Sequence, residues 1–152
     1  QVESDLELLL PATYVTGSSE RMLLYRELDS LTLDKDVEDF RTRLIDRFGP
    51  IPSETEELLR IVPLRRLAAR LGAEKVFLKG GRMSLFFVSN PDSPYYQSQA
   101  FGKVIAYMMK YPRRCDLREQ NTRRSMLVKD VKNVETAVSV LQEIVAMQVE
   151  EG

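Results

Sequence analysis

The chain has 152 residues, 43% of them hydrophobic and 30% charged, with 22 basic against 23 acidic side chains and a formal net charge of −1. This length and composition suit one globular domain with a sizeable core, and the near-neutral balance excludes a domain that binds nucleic acid or membrane by overall charge alone. There is no histidine and only one cysteine, Cys115, which removes the commonest general base and metal ligand, any internal disulfide and any cysteine zinc site. No apolar run approaches the roughly 20 residues of a membrane span and no signal peptide is visible, so a cytoplasmic protein without membrane contact is expected. The chain opens on Gln1 rather than methionine, as a piece of a longer protein would.

Val2, Leu6, Leu8 and Leu10 alternate with Ser4, Glu7 and Leu9, so Val2 to Leu10 reads as a strand that Pro11 ends. Residues 1–17 are thus expected as a strand and an extended lead-in, with Tyr14 and Val15 laid over the core. Ser18 or Ser19 is placed to cap a first helix to about Leu31, with Leu24, Tyr25, Leu28 and Leu31 on one face. A second helix starts near Asp34 or Asp36 and ends at Phe48. Its apolar face is Val37, Phe40, Leu44, Ile45 and Phe48.

Gly49 can close that helix in the left-handed conformation, Pro50 cannot continue it, and Ile51-Pro52 is held extended. Ser53 and Glu56 have the spacing of a capping box, whose serine would contribute about 1 kcal/mol. The result is a stiff corner between two helices, carrying Asp46 and Arg47 between Ile45 and Phe48. The third helix runs from Ser53 to Leu71 and closes at Gly72. Pro63 predicts a kink or two short helices within it, because a mid-helix proline costs about 3 kcal/mol.

The apolar period then changes from 3.6 to 2. Lys75–Lys79 and Arg82–Val88 flank Gly80-Gly81, a strong hairpin signal. Pro94 opens a helix capped by Asp92 or Ser93, with Phe101, Val104, Ile105, Met108 and Met109 inward, ending at Tyr111-Pro112. A second hairpin, Arg114–Glu119 and Arg123–Lys129, turns through Gln120-Asn121-Thr122. Asn133 caps the last helix, with Val134, Ala137, Val138, Leu141, Ile144 and Val145 inward. The fold class is α+β: a three-helix N-terminal part, then two β-hairpins and two helices, as an antiparallel sheet with helices on one face. Residues 1–152 are read as a single domain.

No catalytic constellation, cofactor loop or metal-ligand cluster is present, so a non-catalytic domain without cofactor is expected. The acidic groups Glu54/Glu56/Glu57 and Asp34/Asp36/Glu38/Asp39 sit in first helical turns, where they complement the dipole. Cys115 reads as a small buried hydrophobe, and Tyr95-Tyr96 as cover for the core edge. Arg65, Arg66 and Arg70, with Arg113 and Arg114, are either solvated faces or a patch tracking a nucleic-acid backbone. The corner has two readings as well. Asp46-Arg47 is a solvent-facing helix end, or a charged knob that a rigid corner presents at little entropic cost.

Leu44–Pro52 (LIDRFGPIP), the upstream Arg21-Met22-Leu23-Leu24-Tyr25-Arg26-Glu27-Leu28 and the downstream Leu64-Arg65 to Leu71-Gly72 together resemble the carboxy-terminal domain of the bacterial transcription-repair coupling factor. The similarity runs from Leu10-Pro11 to the last helix, as residues around the corner and as pattern after it. The resemblance implies a motorless regulatory domain of a large ATP-driven DNA translocase. Such proteins push or release stalled RNA polymerase and recruit the damage-recognition ATPase of nucleotide excision repair. In the resting protein the domain packs on the amino-terminal module and hides its surface for that ATPase, an autoinhibitory clamp. The implied partners are therefore that module directly and the repair ATPase and RNA polymerase indirectly, with no membrane.

The resemblance also places Asp46 opposite arginines of the module, with Arg47, Arg43 and Phe48 beside it. At the position of Arg43 at least some relatives carry a second acid. Arg43 is expected to repel those arginines or to pair with Asp46 at i, i+3. Direct nucleic-acid binding through the arginine pairs is the alternative.

Overall fold

The computed structural model describes residues 1–149; residues 150–152, the end of the expected domain, lie outside it. In chain order the elements are β1 (Val2–Ser4), α1 (Ser18–Ser30), α2 (Asp34–Phe48), α3 (Ser53–Leu59), α4 (Ile61–Arg70), β2 (Lys75–Lys79), β3 (Arg82–Phe86), a 3-10 turn (Pro94–Gln97), α5 (Gln99–Lys110), β4 (Cys115–Gln120), β5 (Arg123–Val128) and α6 (Val134–Val145). The contacts gather into two compact units. One is Glu7–Pro63 and the other is Gln1–Leu6 with Leu64 onward.

In the helical unit, the 3.6-residue period of α2 turns Val37, Phe40 and Leu44 inward onto Leu28, Leu59 and Val62, and Leu24, Leu31, Phe48, Ile51 and Leu58 pack around them. The segment after Pro11 is a turn rather than an extended run, because the carbonyl of Pro11 accepts from the amides of both Tyr14 and Val15, 2.9 Å each. That turn buries Val15 completely and brings Tyr14 onto Phe48, ring centroids 5.6 Å apart.

Three sequence expectations change here. Gly17 precedes α1 and Pro52 precedes α3 as the capping residues, and no side chain caps either helix. The Ser53–Glu56 box does not form. The Pro52 carbonyl takes the amides of Thr55 and Glu56, while the Glu56 carboxylate receives both guanidinium nitrogens of Arg41 on α2. The expected third helix is indeed two, but the break is at Arg60 rather than Pro63. Pro63 is the third residue of α4, in the first turn, where backbone N–H groups have no intrahelical acceptor and a missing donor costs little.

The sheet unit holds a five-stranded sheet in the order β1-β2-β3-β5-β4. β2, β3, β5 and β4 are antiparallel neighbours, but β1 adds to β2 in parallel, a correction to the wholly antiparallel sheet expected. A parallel neighbour needs a long connection, and the whole of Glu7–Pro63 lies in sequence between these two strands. β1 is also short. Leu6 donates its amide to the Ser4 hydroxyl (3.0 Å) and so leaves the ladder, where the alternation had suggested a strand to Leu10.

Val76, Leu78, Met83, Leu85, Met126 and Val128 form the buried face, with Phe101, Val104 and Tyr107 of α5 and Val134, Ala137, Leu141 and Ile144 of α6. The expected inward face of α5 is rotated. Tyr107 is fully buried and receives a hydrogen bond from Arg114, whereas Met109 is 73% exposed. Pro94 opens only a 3-10 turn, and Ser98 caps a separate helix by accepting from the Phe101 amide at 3.2 Å. Asn133 caps α6 as read, accepting from Thr136 at 2.7 Å. α4 closes on Gly72 (φ +76°), with the Ala73 amide reaching Ala68 and that of Gly72 reaching Ala69. Both hairpins turn through two residues of positive φ, Gly80-Gly81 and Asn121-Thr122.

Candidate functional site

The corner after α2 is built by local chemistry. Gly49 takes φ +87°, which a side chain would strain, and its amide closes on Ile45 at 2.9 Å. The Tyr14 hydroxyl donates to the carbonyls of Gly49 (2.8 Å) and Leu44 (3.2 Å), so the last turn of α2 is pinned from outside the helix. Burial, then the nearby Glu56 carboxylate, hold the Tyr14 proton above its ordinary range, which keeps that donor in place. Thr55, fully buried, donates to the Leu9 carbonyl at 2.8 Å and fixes the start of α3.

Beside this corner α1 and α2 enclose an open groove of about 280 Å³, lined by Leu24, Phe40, Leu44 and Phe48 with Arg43, Asp46 and Arg47. All four residues singled out in the sequence, Asp46, Arg47, Arg43 and Phe48, therefore meet at one place. Their charges are not equivalent. Arg47 pairs with Glu20 of α1 at 2.5 Å and lies over the Phe48 ring, 5.3 Å to its centre. Arg43 pairs with Glu27 of α1 and lies over Phe40 at 5.5 Å. That pairing corrects the expected Arg43–Asp46 contact. The hydrogen bond that Arg43 donates to Glu27 is also the main reason its guanidinium is held above its ordinary pKa.

Asp46 is exposed and has no ion-pair partner among the described residues. The groove thus offers one uncompensated carboxylate, above an apolar floor and between two neutralised arginines. Sequence reading missed the residues that make it so. Glu20, Leu24 and Glu27 form an i, i+4, i+7 stripe on α1 that is legible as a face, but nothing in the spacing says which helix it meets.

The alternative basic patch is distributed differently. Arg65, Arg66 and Arg70 lie on α4, whereas Arg113 and Arg114 precede β4. Arg114 is structural: it donates to the carbonyls of Lys129 (2.9 Å) and Asp130 (3.2 Å) and to the Tyr107 hydroxyl (3.2 Å). None of the five arginines lines the corner groove. Cys115 is buried and its thiol pKa is raised by that burial. Among the described residues no acidic or cysteine cluster is placed to hold a metal ion, and no helix is long and apolar enough to cross a membrane.

The family described as the TRCF domain matches residues 4–98. The chain is 28% identical over 138 residues to the transcription-repair-coupling factor of Rickettsia prowazekii, covering 90% of the chain and 12% of that protein. It is 28% identical over 111 residues to that of Staphylococcus epidermidis, covering 69% and 10%. Against that of Escherichia coli it is 33% identical over 76 residues, covering 50% and 7%. The chain thus spans about a tenth of the length of these relatives. A crystal structure of the C-terminal domain of transcription-repair coupling factor superposes with a TM-score of 0.71 at 17% identity, covering 95% of this chain and 91% of that one.

Proposed function

We propose, for a chain that belongs to the TRCF-domain family of transcription-repair coupling factors, that it is the non-catalytic carboxy-terminal regulator of a longer cytoplasmic protein and docks through the Asp46 corner. The parent is an ATP-driven DNA translocase acting on stalled RNA polymerase. Docking on the parent's amino-terminal module masks the surface that recruits the excision-repair ATPase, and release of the corner exposes it. The observation that supports this reading is the state of the charges: Arg43 and Arg47 are matched by Glu27 and Glu20, and Asp46 alone is not. An arginine of the module that reaches Asp46 gains a charge-assisted bond without first breaking one.

Arg43 shifts the balance of such an interface. With Glu27 on it, Arg43 neither captures Asp46 nor supplies a second acid, so docking rests on one carboxylate and the Leu24/Phe48 floor. A hydrogen bond to a charged group contributes about 1.5–3 kcal/mol, which is roughly 10- to 100-fold in the docked population.

The test is Asp46→Arg in the full-length parent, read as affinity for the repair ATPase and as retention of the excised amino-terminal module by the 152-residue chain. Affinity is expected to rise by about tenfold or more and retention to fall, with the chain's melting temperature nearly unchanged. Unaltered recruitment together with unaltered retention would remove the clamp.

A further inference from the structure

On the sheet face opposite the buried one, register places Phe77 between Glu3 and Ser84, with Leu127 beyond Ser84, and Phe86 between Lys75 and Ser125, with Arg118 next to Ser125 on β4. The two rings meet edge to face, centroids 5.1 Å apart and planes at 65°. Lys75 and Lys79 lie over Phe77 at 4.4 and 4.9 Å, and Arg123 lies over Phe86 at 5.6 Å. This face therefore carries Lys75, Lys79, Arg82, Arg118 and Arg123 against three carboxylates: Glu3, which Lys75 and Lys79 share, Asp116 beside Arg118 at 3.8 Å, and Glu74, which reaches Arg123 at 3.9 Å. A ring attracts a cation without neutralising it, so the surplus of positive charge stays on the face. Between the ends of β3, β4 and β5 lies an open groove of about 730 Å³, with Phe86, Arg118 and Arg123 joined by the polar side chains of Ser84, Gln120 and Ser125.

We propose that this face binds single-stranded nucleic acid: two bases, splayed apart by the inclined rings, stack on Phe86 and Phe77, while Arg123, Lys75 and Lys79 swing from the rings, and Arg118 from Asp116, to the phosphates. Flat aromatic faces with mobile cations around them suit unpaired bases, whose π-faces are accessible, and do not suit a duplex, whose bases are already stacked. Polar groups along the groove add hydrogen bonds that any base can use, so little sequence preference results. The same chemistry argues against a peptide partner, since the accessible apolar surface is mostly the two rings, Leu127 being only 7% exposed, and the rest of the groove wall is polar. This surface shares no residue with the Asp46 corner, and the proposal holds whether or not the corner docks.

Fluorescence anisotropy of a labelled single strand of about ten deoxythymidines, titrated with the 152-residue chain, tests it. A duplex of equal length and a poly-glutamate peptide serve as competitors. Binding is expected in low salt, weakening as salt rises with a slope of roughly −0.7 for each phosphate contacted. Phe86→Leu and Phe77→Leu, which keep apolar bulk and lose the planar ring, each reduce affinity about tenfold, and Phe77→Tyr retains it. Arg118→Gln, at an exposed site, lowers the salt slope by about one contact. Four outcomes overturn the proposal: no binding in low salt, equal binding of duplex, displacement by poly-glutamate as effective as by unlabelled strand, or binding indifferent to both phenylalanines. None of these bears on the Asp46→Arg result, so the two readings fail separately.

Discussion

The helical unit and the sheet unit handle their cations differently, and the difference explains what each surface can attract. On the helices, Arg41, Arg43 and Arg47 reach across to Glu56, Glu27 and Glu20 on neighbouring helices. On the open sheet face, Lys75 and Lys79 have a phenylalanine ring beneath them and share the single carboxylate Glu3, at 3.3 and 3.9 Å. A carboxylate cancels a cation, and a ring leaves its charge standing. The corner thus matches its arginines one to one and leaves Asp46 over, whereas the sheet face sets five cations against Glu3, Asp116 and Glu74 and remains positive within a chain of net charge −1. Net charge alone hides both features.

The most severe way to break the comparison is to remove the floor of the corner rather than its charge. Leu44 is 1% exposed beneath the groove. Leu44→Ala is expected to cost about 3 kcal/mol in urea unfolding, against less than about 0.5 kcal/mol for Asp46→Ala. Comparable losses from both would mean that Asp46 holds the fold together, and its role as a free docking group would be lost.

A smaller effect separates the ion pairs from one another. The Arg41 and Glu56 side chains are only 30% and 23% exposed, while Arg47 is 69% exposed. Arg41→Met strands a half-buried carboxylate and is expected to lose about 1–2 kcal/mol. Arg47→Met, at a solvent-screened pair, is expected to lose less than about 0.5 kcal/mol. Denaturation midpoints of the two variants at matched m-values decide it, and a larger loss for Arg47→Met would reverse the ranking of the pairs.

The mildest test is alkaline. Burial raises the pKa of Tyr95 and Tyr107 in the sheet unit, and of Tyr14 in the helical unit. An unfolded tyrosine loses its proton near pH 10 and these hold theirs longer. Their contribution is therefore fully present below about pH 10 and is lost as pH rises through the folded values, by at most about 1.4 kcal/mol per group per pH unit. Tyr95→Phe is expected to flatten that decline in a pH series of unfolding curves. An unchanged slope would mean that the Tyr95 hydroxyl, which donates to the Leu71 carbonyl, is not what titrates.

Much of this molecule was readable from residue spacing. Gly80-Gly81, Asn121-Thr122, Asn133 and Gly72 act within a few residues of themselves, and each turned or capped the chain where its chemistry said it would. Three of the differences share a cause, which is a distant partner outbidding a local one. Glu56 has the spacing to cap α3 and instead receives Arg41. Arg43 lies three residues from Asp46 and instead meets Glu27, sixteen residues away. The helical period turns Met109 inward and passes over Tyr107, yet Tyr107 is buried and Met109 exposed because Arg114 satisfies the tyrosine hydroxyl.

The amino-acid order by itself determined the helices, the two hairpins and the stiff corner with Asp46 at its tip, since propensity, capping and left-handed glycines act over one or two turns of chain. Only the tertiary structure decided that β1 would join β2 in parallel and that Phe77 and Phe86 would share a face. It also decided that α1 would bring Glu20 and Glu27 to the arginines and leave Asp46 alone. Those outcomes depend on which side chains meet across the fold, and the energy of a charge or a ring is set by its neighbour in space rather than its neighbour in sequence.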